Sequence, residues 1–210
     1  MYPKPIQTLI ELFAKLPGVG PRQAARMAFF VLREPPLYAL ALVDALRAVK
    51  AAVSSCNECF RATETAESGL CDFCSSPSRD GSQICIVEKE VDISTFEKSG
   101  YYKGLYHVLG GTFSALEPDS PKRLRLMELY SRIKRISEAQ PLEVIIATGQ
   151  TSEGDTTALY IEQMLEPLQK AHQTLSISRL GRGLSMGTEL EYADEVTLQH
   201  ALINRKQNNR

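Results

Sequence analysis

Four cysteines at the spacing Cys56-x2-Cys59-x11-Cys71-x2-Cys74 constrain this chain more than any other feature. Each CxxC pair makes a tight knuckle whose sulfurs face one way, and two knuckles close on a single cation. Zinc held at ~2.3 Å by four thiolates is tetrahedral and saturated, so the expected cofactor is a structural Zn2+ with no position open to substrate. Residues 54–80 hold one glycine, several Ser and Thr and few large apolar side chains. Such a segment has no core of its own, and its folding free energy must come largely from the metal. The fifth cysteine, Cys85, lies inside the apolar run Ile84-Cys85-Ile86-Val87 and reads as a core residue.

No run of ~18 apolar residues is present, so no membrane span is expected. The opening MYPKPIQ lacks the apolar stretch of a secretion signal. The expectation is a cytoplasmic protein, where cysteines serve metals or reactive thiols more often than bridges. With 43% hydrophobic and 23% charged residues among 210, wholesale disorder is excluded. The formal net charge is −1, yet it is unevenly spread. Residues 1–56 carry seven basic and three acidic side chains, 57–100 four and nine, 101–140 seven and four, and 141–210 six and nine. A local basic patch can bind phosphate despite a neutral total.

Helical periodicity predicts helices over 5–16, from Pro21 to Leu32 and over 37–53, so the first 55 residues are all helical. Beyond the cysteines, short apolar runs at 84–87, 105–109, 144–147 and 175–178 read as strands. They alternate with helical patterns at 91–98, 121–137, 156–171 and 194–204. The fold class is therefore α+β and multidomain. A helical DNA-binding domain is expected over 1–55, a four-cysteine zinc finger over 56–80, an α/β domain with a mostly parallel sheet over 81–175, and a C-terminal assembly segment over 176–210.

The segment Leu16-Pro17-Gly18-Val19-Gly20-Pro21-Arg22 joins the first two helices. Gly18 and Gly20 let the backbone approach a phosphate closely, and the following helix start offers free N–H groups and a positive dipole. Arg22 and Arg26 are four apart and share a helix face, with Lys15 close by in sequence. This resembles the helix-hairpin-helix motif, which grips the DNA backbone without reading sequence. A plain helical hairpin with solvated arginines is the alternative.

A third pattern is acidic. Glu88 follows one predicted strand, and Glu153 and Asp155 follow another through the loop 148–152. Ends of parallel strands lie on one side of a sheet, where ligands usually bind. Three carboxylates there could hold Mg2+ through water, or Glu153 and Asp155 could simply favour the start of the next helix. No nucleophile is marked nearby, so a catalytic Mg2+ is not expected. His107 reads as a satisfied core histidine. No GxxxxGK[ST] loop is present, so ATP hydrolysis is not indicated.

Together these motifs resemble the RecR family of bacterial recombination mediators over almost the whole chain. The residues that carry the likeness are LPGVGPRQAARMAF (16–29), the cysteines at 56–74, SSPSRD (75–80), ICIVE (84–88), YKGLYHVLGG (102–111), IIATGQTSEGDTTALYIEQMLEP (145–167) and SRLGRGLSMGTELEYADEVTL (178–198). The resemblance implies a helix-hairpin-helix, a Toprim domain with its acidic positions at Glu88, Glu153 and Asp155, and no enzymatic activity. It also implies a homodimer or homotetramer that encircles DNA in repair and recombination, with RecO and RecF as partners. Residues 112–124 depart from the family's loop and lack its glycines. Three classes stay open on the residues alone: a DNA-binding repair mediator, a Mg2+-dependent Toprim nuclease or primase, and a zinc-stabilised adaptor that binds only protein.

Overall fold

The computed structural model describes residues 2–64, 67–114, 120–185 and 187–205. The chain divides into two compact units, 1–53 and 54–210.

The first unit is helical: α1 (Lys4–Phe13), α2 (Pro21–Arg33) and α3 (Pro36–Ala52). Prolines place its breaks. Pro21 and Pro36 occupy first helical positions, where a missing N–H is harmless. Glu34 takes an extended backbone ahead of Pro35, which ends α2. Among the described residues only small side chains are fully enclosed here, Ala24 and Ala28 on α2. No residue of α3 is buried.

Two short paired strands follow, β1 (Val53–Ser55), which begins at the last residue of the first unit, and β2 (Ala62–Glu64), and then the short helix α4 (Asp72–Ser75). A sheet follows, made of β3 (Asp80–Val87), β4 (Gly104–Val108), β5 (Leu142–Ala147) and β6 (Leu175–Arg179) in the order β4-β3-β5-β6. All three pairings are parallel, with Ile84 opposite Leu105 on one side and Val144 on the other. Parallel strands need crossovers. These are α5 (Glu90–Ser99), α6 (Ser120–Arg123) with α7 (Leu126–Ser137), and α8 (Ser152–Ala171). A 3₁₀ turn (Leu190–Tyr192) and α9 (Glu195–Ile203) end the described chain. Among the described residues no helix is long and apolar enough to cross a membrane.

Strand alternation sorts the core into two layers. Ile84 and Ile86 face α7 and α8, packing with Leu129, Ile133, Ile161 and Leu165. Cys85 and Val87 face the opposite way, with Tyr106, Ile93, Phe96 and Phe73. Cys85 is fully enclosed, and burial pushes its thiol up to about 12.

Three expected helices differ from those found, and the stretch expected to be helical as far as residue 55 turns into strand β1 at Val53. The helix expected over 5–16 ends at Phe13, because the chain tightens there into shorter-range turns, Lys15 N–H on the Leu12 carbonyl and Leu16 N–H on that of Phe13, ahead of Pro17. The run 121–137 is interrupted at residues 124–125, where the chain turns so that Leu124 enters the core and the Arg125 N–H reaches the Leu109 carbonyl. The helix expected from 156 begins at Ser152, because Thr151 caps it by accepting the Gly154 N–H at 3.1 Å. Residues 115–119 of the divergent loop, residue 186 and the tail 206–210 lie outside the described residues.

Candidate functional site

The two CxxC knuckles converge. All four sulfurs lie within 4.8 Å of one another, close enough to take one cation, around which tetrahedral bonds of ~2.3 Å would set them about 3.8 Å apart. Among the described residues they form the one such group of three or more potential ligands. The first knuckle is closed by the Phe60 N–H on the Cys56 carbonyl (3.0 Å), with Phe60 held at a φ of 62°. The second forms where Cys71, in extended backbone, leads into α4, and its N–H donates to Cys56 Sγ at 3.3 Å. Between them the Gly69 carbonyl accepts the Asn57 N–H. Cys59 and Cys71 are 3.5 Å apart, and that contact holds the Cys71 thiol well below the ordinary range while the Cys59 thiol is pushed up. Four sulfurs so placed can hold a metal ion and leave it no fifth neighbour.

The cysteine unit is built onto the sheet. β4 is an edge strand, and its outward Val108 N–H is taken by the Cys59 carbonyl at 2.9 Å. An open edge invites pairing with other chains, so this contact also blunts it. Phe73 of the second knuckle lies between two guanidinium groups, Arg61 at 4.5 Å and Arg79 at 4.3 Å. Arg79 is in turn gripped by Glu97 of α5, which also accepts the Tyr106 hydroxyl. Beneath the unit sits His107, fully enclosed and pushed down to about 3 by burial and by the nearby Arg132 charge. Its Nε2 meets the Arg125 carbonyl at 3.1 Å, while Nδ1 has no hydrogen-bond partner among the described residues, so this core histidine is only half satisfied.

The three acidic positions do not come together as metal ligands. Glu88 lies at the end of β3, half-buried, and accepts the Gly149 N–H at 2.5 Å. It thereby fastens the β5–α8 loop, where a Cβ on Gly154 would overlap the Gly149 carbonyl. Asp155 stands in the first turn of α8, paired with Arg182 and facing Arg179 at 3.9 Å. Those guanidiniums, Arg182 first, hold its carboxyl below the usual range. Glu153, one residue into α8, is exposed. A cleft of about 230 Å³ opens beside Glu88, lined also by Asp92, Thr95, Phe96 and Thr148.

In the helical unit, the turn between α1 and α2 is stitched by the Val19 N–H on the Leu16 carbonyl and by Gly18 at a φ of 76°. That φ favours glycine. No protein atom lies within 4 Å of where a Cβ would stand on Gly18 or Gly20, so both backbones are uncovered. Gly20 precedes α2 without any side-chain cap; Pro21 has no N–H and Ala24 donates to the Gly20 carbonyl, so the first turn offers the N–H groups of Arg22 and Gln23. Arg22, Arg26 and Lys15 are all exposed around this turn.

Sequence reasoning missed Glu58, Arg132 and Arg182. Arg132 is three residues past the buried Leu129 and falls on the inner face of α7. Helical spacing therefore marks it, but beside Lys134 and Arg135 a basic side chain carries no local sign of burial.

Comparison with known proteins adds three matches. A Toprim domain profile matches residues 82–180, a RecR helix-hairpin-helix profile residues 6–50, and a RecR C-terminal profile residues 183–206. Proteins named recombination protein RecR are similar along nearly the full length. That of Dehalococcoides mccartyi is 41% identical over 96% of this chain and 93% of its own. That of Chlorobium phaeobacteroides is 43% identical over 95% of both, and that of Synechococcus elongatus 40% identical over 98% of both.

Proposed function

The chain belongs to the RecR family of recombination proteins, and from that premise we propose a DNA-binding mediator of recombinational repair that works without catalysis. The observation that carries the DNA reading is the α1–α2 turn: uncovered glycine backbone, an uncapped helix start, and exposed Lys15, Arg22 and Arg26 around it. Such a surface takes a phosphate through backbone N–H groups and countercharge. It carries no base-reading element, so binding is independent of sequence, on double or single strands. The tetracysteine unit holds zinc in a structural role.

Replacing Arg22 and Arg26 with Ala tests this reading. Affinity should fall alike for unrelated sequences, and the slope of log K against log salt should drop by up to ~2, since each phosphate contact adds roughly 0.7–0.9. An unchanged salt slope would refute the hairpin as the DNA site.

RecO and RecF are the proposed partners, docking at the acidic end of the sheet. Asp155 is already held by Arg182, so the exposed Glu153 is the carboxylate available to a partner's cations. Glu153→Lys should abolish the RecO complex and leave DNA binding intact. Lost DNA binding with RecO binding retained would reverse the assignment. A magnesium-dependent nuclease finds little support, because Glu88 and Asp155 are engaged separately and, among the described residues, the three carboxylates form no three-ligand group.

A further inference from the structure

Arg132 is a buried cation with an unusual set of neighbours. It projects from α7 with its side chain 4% exposed. Nη1 donates to the Tyr106 carbonyl at 2.6 Å, an outward-facing group of edge strand β4. Nη2 lies 3.8 Å from Cys74 Sγ. Nε stands 3.2 Å from Glu58 Oε2, without the alignment of a hydrogen bond, and has no other partner among the described residues. Glu58 lies between the first two cysteines and is clamped from outside by Arg135 at 2.6 and 2.7 Å.

Burying a guanidinium is costly unless a negative charge lies close. Glu58 is divided between Arg132 and the more exposed Arg135, so it offsets the buried charge only in part. The remaining negative charge is on the sulfurs. Four thiolates around a divalent cation form a dianion; beside the neutral Cys71 N–H on Cys56 Sγ at 3.3 Å, the charged N–H that reaches it is Arg132 Nη2, 3.8 Å from Cys74 Sγ. A charge-assisted hydrogen bond to a ligand sulfur stabilises the thiolate against both protonation and metal loss.

We propose that Arg132 is the built-in counter-ion of the tetrathiolate centre and sets how tightly the metal is held. Through the Tyr106 carbonyl the same guanidinium ties the centre to the parallel sheet, so metal occupancy and the packing of α7 on β4 are coupled. Glu58, drawing on the same guanidinium, moderates its pull on Cys74. This inference rests on the metal-site reading given above.

The test uses the full-length reduced protein, wild type and two variants, each loaded with zinc and titrated with a chromogenic chelator. Arg132→Gln removes the charge and should lower zinc affinity ~10–100-fold, the usual effect of losing a partner of a metal ligand. Glu58→Gln frees Arg132 and should hold zinc at least as tightly as wild type. Cobalt-loaded protein gives a spectroscopic check. Loss of the N–H···S contact in Arg132→Gln should move the sulfur-to-cobalt charge-transfer band to longer wavelength, and Glu58→Gln should not. If Arg132 serves only to pack the unit onto the sheet, both variants lose zinc together, and the counter-ion is refuted. Equal zinc affinity in Arg132→Gln and wild type refutes it as well. Should Arg132→Gln fail to fold, Glu58→Gln decides by itself: retained or tighter zinc supports the proposal, and weakened zinc overturns it. Wild-type protein that takes up no zinc defeats the metal reading itself, which is a different failure.

Discussion

At the scale of single residues, charge placed beside apolar surface does much of the fastening. Glu97 accepts from both Nη atoms of Arg79 and from the Tyr106 hydroxyl, joining α5, the start of β3 and β4. The Arg79 hydrogen bonds, ahead of the other effects, hold its carboxyl below the usual range. A depressed carboxyl stabilises the fold above the unfolded value of ~4.3, and that contribution is lost as pH falls through the folded value. Glu97→Gln should destabilise the protein by ~1.5–3 kcal/mol at neutral pH, as expected for hydrogen bonds to a charged group. Its stability should also fall less steeply with acid below pH ~4.3 than that of wild type. Denaturant unfolding at a series of pH values measures both, and parallel acid limbs would show that Glu97 is not the titrating group.

Among the elements, the tetracysteine segment is the one that cannot stand by itself. Its two strands are three residues each and its helix four, too short for a hydrophobic interior. It leans on β4 through Cys59, Phe60 and Phe73, so its loss should be felt beyond residue 80. Cys71→Ser removes one ligand of the proposed zinc. We expect no retained zinc and a stability loss of about 3 kcal/mol or more. For a chain of this size that lowers Tm by ~6–12 °C. Elemental analysis and calorimetry check the two halves separately. Stoichiometric zinc in the variant would remove Cys71 from the ligand set.

For the whole molecule, the question is what covers the helical unit. Leu37, Leu40, Leu46 and Val49 on α3 are each more than half exposed, as are Phe30 and Leu32 on α2. Small domains bury a low fraction of their surface, and pairing with a second copy by two-fold symmetry is the economical remedy. The C-terminal segment exposes Leu190, Tyr192 and Leu202, which in the proposed assembly would serve as a second contact of a different kind. Two such contacts per subunit can close a ring around DNA. Sedimentation at micromolar protein should show a multimer that stays on circular DNA and slides from linear ends. A clean 23.3 kDa species with and without DNA would refute the ring.

Local patterns carried much of this protein's design. Cysteine spacing announced the convergence of four sulfurs because knuckle geometry is fixed within four residues. The run 84–87 announced a buried strand because strand period and apolar length are local properties, and the glycines at 18 and 20 marked the hairpin for the same reason. The start of α8 was misplaced because Thr151 and Gly154 cap it through a side-chain contact that periodicity does not register. Tertiary structure alone decided the partners of charge. Glu88 closes on Gly149, 61 residues away, and Asp155 on Arg182, 27 away. Arg132 reaches Cys74 across 58 residues. Charges of one kind look alike along a chain, and which of them is buried, paired or left open depends on distances that only the folded sheet sets.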